Sequence, residues 1–139
     1  MNDVLANALD AVMEERGVKF NAAFHAVALL VADYGEVNLA ERIAEEVPTS
    51  VSWEVVADLL SILEWSTSDN GASIHRTTEQ WLSDSLDIRK IQIALHLDVY
   101  PFLEFGQMKQ VLGRLALAWP QVASQCEALI RQRQQEERA

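Results

Sequence analysis

The chain has 139 residues, half of them hydrophobic, which suits one domain with a sizeable core and excludes a disordered polymer. Its 21 acidic and 11 basic side chains leave a formal net charge of −10. That balance argues against nucleic acid or an anionic membrane as a direct partner, because both require clustered Lys and Arg.

The distribution of charge says more than its sum. Residues 1–70 hold 13 acidic and 3 basic side chains, whereas residues 71–139 hold 8 of each. All the excess negative charge belongs to the first half. Solubility is the ordinary reason for such an excess, and a field that steers a basic protein into contact is the sharper one. Cys126 is the sole cysteine, so no intramolecular disulfide forms and a reducing compartment is expected. The first residues, MNDVLANALDAV, carry no basic leader ahead of an apolar run. The longest mainly apolar segment, residues 22–32, is too short to span a bilayer, and a cytoplasmic location is expected.

In chain order, Asn2 or Asp3 can cap a first helix whose inward face is Val4, Leu5, Ala8, Leu9, Val12 and Met13, with Arg16 and Gly17 at its stop. A second helix runs from Asn21 to Tyr34, with Phe24, Val27, Ala28, Val31 and Tyr34 as its inward stripe and Gly35 after it. Asn38 and Glu41 have the spacing of a capping box for a short third helix, which buries Leu39, Ala40, Ile43 and Val47 and stops at Pro48. The stretch VSWEVVADLLSILEW, residues 51–65, is apolar nearly all round and is expected to be the buried central helix, capped by Ser50 or Ser52. Its polar positions, Glu54, Asp58, Ser61 and Glu64, fall on one narrow line and predict a single wet edge.

Residues 66–71, STSDNG, read as a loop. Beyond it, positions 72–83 predict a helix burying Ile74, Thr78, Trp81 and Leu82, and Asp84 or Asp87 can cap the next. Residues 88–100 fit two periods. Ile91, Ile93, Leu95, Leu97 and Val99 alternate like a half-buried strand, while Ile88, Ile91, Leu95 and Val99 fit a helical face. No second strand candidate exists to pair with it, so helix to about Leu97 is favoured. After Pro101, positions 106–118 predict a helix through Met108, Val111, Leu112, Leu115 and Ala118. Pro120 opens a last helix carrying Val122, Ala123, Cys126, Leu129 and Ile130, with the charged tail 131–139 expected to fray. The fold class is therefore all-α: one domain of about seven helices in a compact bundle or short stack of helical hairpins, with no sheet.

Catalytic and cofactor signatures do not emerge. No glycine-rich phosphate loop occurs, and no His or Glu pair has the helical spacing of a zinc or di-iron site. His25, within FHAVALL, reads as a core or boundary histidine. Cys126 has no activating cation beside it and reads as a small core or half-exposed side chain. The four Trp residues read as core. No enzyme activity and no cofactor or metal are expected. What remains is a surface: Asp33, Glu36, Glu41, Glu45, Glu46, Glu54, Asp58, Glu64 and Asp69 can form one acidic patch if their helices align, or scatter around the fold if they do not.

Trp65, Asp69-Asn70-Gly71, Glu79 with Trp81-Leu82, and the run from Ile93 through His96, Tyr100 and Pro101 to Phe102 resemble the small immunity proteins encoded beside bacterial polymorphic toxins, including contact-dependent growth inhibition systems. The resemblance covers residues 65–102, and its motifs are packing and turn residues. It implies a cytoplasmic protein that binds one cognate toxin domain and neutralises it. Many such toxins are nucleases with basic clefts, which an acidic first half would suit. On charge, Asp33, Glu36, Glu41, Glu45, Glu54, Asp58, Glu64 and Asp69 are the candidate partner-binding residues. Two other binding modes stand beside this one: a helical adaptor using an apolar groove near Tyr100 and Phe102, and a nucleic-acid mimic that inhibits a DNA-binding complex.

Overall fold

Apolar residues recurring at helical spacing, with breakers between them, leave little choice of element. The computed structural model, which describes residues 1–15 and 21–138, contains eight α-helices and one 3-10 turn, and no strand among the described residues. The helices are α1 (Asp3–Glu15), α2 (Asn21–Tyr34), α3 (Leu39–Glu46), α4 (Trp53–Leu63), α5 (Ala72–Asp84), α6 (Ile88–Leu95), α7 (Phe105–Ala118) and α8 (Ala123–Arg138), with the 3-10 turn at Pro120–Val122. Contacts divide the chain into two compact units, Met1–Thr77 and Thr78–Ala139, with the division falling inside α5.

In the first unit α1, α2 and α4 pack on one another. Asn2 caps α1, its Oδ1 accepting the Leu5 N–H at 2.9 Å, and the expected stop at Arg16 and Gly17 lies outside the described residues. Glu15 reaches forward to accept the Ala23 N–H at 2.6 Å, satisfying a donor in the first turn of α2. α4 is the buried helix its composition predicts, with Val55, Val56, Ala57, Leu59, Leu60, Ile62 and Leu63 all inside. Ser52 caps it through the Glu54 N–H. Val51 precedes the helix, and Trp65 follows it with 70% of its surface exposed.

Three expectations for this unit are corrected. α2 buries Ala23, Val27 and Leu30, leaving Phe24, Ala28 and His25 exposed. A helix that is apolar on every side gives periodicity no face to select. Asn38 adopts a left-handed conformation, φ 53°, and makes no side-chain cap bond, so the capping box with Glu41 does not form. Among the tryptophans only Trp81, in the second unit, is buried; Trp53 and Trp119 are intermediate.

In the second unit α7 packs on α8, and the ambiguous segment at 88–100 is helical through Leu95. Asp87 caps α6 by accepting the Arg89 N–H at 2.9 Å. Where a frayed tail was expected, α8 runs on to Arg138 and Arg133 is only 9% exposed. The guanidinium of Arg133 donates to the carbonyls of Pro101 (3.1 Å), Phe102 (2.7 Å) and Leu103 (2.6 Å). It thereby holds a segment in which Phe102 has φ +63°, a left-handed conformation that side-chain-bearing residues seldom adopt. The Phe102 N–H is satisfied in turn by Glu79 Oε2 at 2.8 Å.

Replacing Arg133 with Met leaves three carbonyls without their donor and should destabilise the protein by about 2–4 kcal/mol in urea denaturation. A change below about 0.5 kcal/mol would show that the segment holds its shape without the clamp.

Candidate functional site

Several acidic side chains of the first unit accept hydrogen bonds from neutral donors. Gly35, with φ +73°, ends α2 and turns Glu36 outward. The Glu36 carboxylate accepts the Ser68 N–H at 3.0 and 3.2 Å and the Ser68 hydroxyl at 2.9 Å, tying the α2–α3 connection to the loop before α5. The next residue, Asp69, accepts the Thr67 hydroxyl at 3.0 Å, the Gly71 N–H at 3.1 Å and the Ser73 N–H at 3.0 Å. The Ser73 N–H lies in the first turn of α5, where the helix dipole favours an anion. That bond is the main reason the Asp69 carboxyl sits below its ordinary pKa, with the Thr67 and Gly71 bonds adding to it.

Asp33 accepts the Asn2 side-chain amide at 3.1 Å. Its neighbour Tyr34 donates to Glu46 at 2.9 Å, and burial, followed by that carboxylate, pushes the Tyr34 phenol up to about 12. Asp33, Glu36, Glu46 and Asp69 are thus gathered around the carboxyl end of α2. Arg42, on α3, gives N–H bonds to the carbonyls of Tyr34 (2.7 Å) and Val37 (3.3 Å) and lies 5.0 Å from the centre of the Tyr34 ring.

The remaining candidates are placed differently. Glu41 and Glu45 stand one turn apart on α3, whose buried face is Leu39, Ala40, Ile43 and Ala44; Glu45 is exposed and Glu41 half-buried. Glu54 and Asp58 are half-buried along α4. At 1.5 Å of rise per residue, Glu54 lies roughly 15 Å along the helix from the Glu64 end.

Glu64 itself is a correction. Expected on the wet edge of α4, it is 5% exposed, and its Oε1 lies 3.0 Å from His75 Nε2. The loop folds back over the last turn of α4. Gly71, at φ +82°, lies so close that an added Cβ would come within 2.9 Å of the Glu64 Cβ. The polar line along α4 was legible, but nothing in its periodicity says that the following loop will cover one end. Glu64 is therefore placed as an interior residue against His75 rather than a surface carboxylate.

Other candidate chemistry finds little to build on. Among the described residues no group of three or more His, Cys, Asp or Glu side chains could hold a metal ion. Cys126 is fully buried, and burial, with Glu127 adding to it, pushes its thiol up to about 11, so the nucleophilic thiolate is disfavoured. Phe102, proposed as part of an apolar docking groove, is buried, and Tyr100 is half-buried. No helix is long and apolar enough to cross a membrane among the described residues. Comparison with family models, curated proteins and solved structures finds no match.

Because the folded Asp69 carboxyl is depressed, its stabilisation is present above the ordinary carboxylate value of 3.8 and is lost as pH falls through the lower folded value. Asp69→Asn should therefore lower the melting temperature at neutral pH, with the gap to wild type closing below that value. A gap independent of pH would assign the effect to shape rather than charge. Cys126 should resist iodoacetamide in the folded protein and react once it is denatured; rapid labelling of the native chain would contradict its burial.

Proposed function

We propose that this chain is an immunity protein that binds a cognate basic toxin domain in the cytoplasm and neutralises it through the acidic surface of its first unit. The observation that carries the reading is the charge of that unit: Met1–Thr77 holds 13 carboxylates against four Lys and Arg residues. Hydrogen bonds from Ser68, Thr67, Asn2 and Tyr34 orient several of those carboxylates without cancelling their charge. A concentrated negative field accelerates encounter with a positive partner and opposes approach by another anion. The resemblance over residues 65–102 to polymorphic-toxin immunity proteins supports the same reading.

On this view the contact surface draws on Asp33, Glu36, Glu41, Glu45, Glu54, Asp58 and Asp69, and Glu64 acts from inside by fixing the loop that presents Asp69. A toxin with nuclease activity suits the scheme, since a cleft built for phosphates is lined with the cations that carboxylates would cover. Glu41 and Glu45 repel each other across one helical turn, and a cationic partner relieves that repulsion.

Co-expression with the toxin domain encoded beside this gene should restore growth, and the double variant Glu41→Lys, Glu45→Lys should slow association about tenfold at low salt. An association rate unaffected by the double variant and by ionic strength would refute the electrostatic mechanism. Failure of the wild-type chain to protect against any adjacent basic toxin domain would refute the assignment itself.

A further inference from the structure

The loop after α4 holds a tryptophan in solvent. Trp65 has 70% of its surface exposed, and Val37, on the connection between α2 and α3, has 84%. Glu36, beside Val37, ties the two segments together by accepting the N–H and the hydroxyl of Ser68. Three residues separate Ser68 from Trp65, so their Cα atoms lie no more than roughly 11 Å apart. The loop is firmly built. The Trp65 N–H donates to the Ile62 carbonyl at 3.1 Å and the Ser66 N–H to the Leu63 carbonyl at 2.9 Å. The buried Thr67 hydroxyl donates to Asp69 at 3.0 Å and accepts the Gly71 N–H at 2.8 Å. An indole on such a loop offers a large contact area and loses little conformational freedom when something covers it.

Elsewhere the chain places its own cations over its rings: Arg42 over Tyr34 at 5.0 Å, Lys90 over Trp81 at 5.6 Å and Arg133 over Tyr100 at 5.7 Å. Among the described residues Trp65 has no such cover, although the indole has the most attractive face for a cation. The charge at this end of the unit favours a cation as well. Asp33, Glu36, Glu46 and Asp69 stand around the carboxyl end of α2 and the loop, against two guanidiniums. That of Arg42 is turned to the Tyr34 and Val37 carbonyls, and that of Arg76 donates to the Ser73 hydroxyl at 3.2 Å. Four carboxylates against those two cations leave the surroundings negative.

We propose that Trp65 is the seat for an arginine side chain of a basic protein partner, its guanidinium flat on the indole and its N–H edge turned toward the Glu36 and Asp69 carboxylates. A guanidinium can stack on a ring and still present its edge to a carboxylate, which the compact ammonium of lysine cannot do. An anionic partner is opposed by the carboxylates. A second copy of this chain would bring a first unit with the same excess of carboxylates against this one. The inference rests on the reading that the first unit receives a cationic partner, and it adds the residue on which that partner is anchored.

The test labels the full chain with 5-fluorotryptophan and titrates it at low salt with a hexa-arginine peptide, using hexa-lysine as the control of equal charge. Trp65→Leu assigns the Trp65 fluorine signal and supplies the variant. The arginine peptide should shift that signal saturably and bind about threefold more tightly than the lysine peptide, the scale of an exposed cation–π contact. Trp65→Leu should erase the difference between the peptides in calorimetry. Equal binding of the two peptides to the wild-type chain, or an arginine preference that survives in Trp65→Leu, would overturn the seat while leaving the acidic surface as a receiver of cations. Binding of neither peptide would overturn both. A Trp65 signal that moves with protein concentration before any peptide is added would give the face to a second copy and also overturn the proposal. The comparison of peptides on the wild-type chain decides the matter even where the variant folds poorly.

Discussion

Carboxylates without enough cations are the constraint around which the first unit is built. Charges of one sign on a small surface repel, and folding brings them closer than they are in the unfolded chain. The chain answers with neutral donors: a serine hydroxyl and amide for Glu36, a threonine hydroxyl and two amides for Asp69, an asparagine amide for Asp33 and a tyrosine hydroxyl for Glu46. Each bond fixes a direction and leaves the negative charge standing. A fold selected only for its own stability has a simpler remedy, since one lysine per turn would remove the repulsion.

The same constraint explains the one carboxylate that is drawn inside. Glu64 ends the long apolar helix α4 and meets His75, whose imidazole can carry the compensating charge. That pairing sits under Gly71, where a left-handed backbone and contact with the Glu64 Cα, Cβ and Cγ leave no room for a side chain. From this corner the loop turns outward to present Asp69 and to bring Ser68 to Glu36. The buried pair and the exposed carboxylates are therefore consecutive parts of one device, linking the α4 core to the surface.

Much of the fold was legible in the residues. α4 was identified by being apolar on nearly every side, α5 by the spacing of Ile74, Thr78, Trp81 and Leu82, and the helical state of 88–95 by the lack of any strand to pair with it. What stayed hidden depends on contacts between residues far apart in sequence. The buried face of α2 is chosen by α1 and α4 and not by its own uniform apolarity. Arg133 lies in a run of charged and amide side chains, and only the carbonyls of a segment some 30 residues earlier make it an interior residue. Of the acidic site, the residue types and their excess could be read directly. Their grouping could not, because it depends on Ser68 and Asn2, which carry no charge and attract no notice in a sequence.

The central claim is that the excess of carboxylates over cations in the first unit, 13 against four, makes like charges repel across it, and it can be tested without any partner. Melting temperature measured from about 20 to 500 mM sodium chloride spans Debye lengths from roughly 20 Å to about 4 Å. If the carboxylates repel one another, screening should raise the melting temperature steadily across that range. A melting temperature that falls as salt is added would mean that internal ion pairs already neutralise them, and would contradict the account.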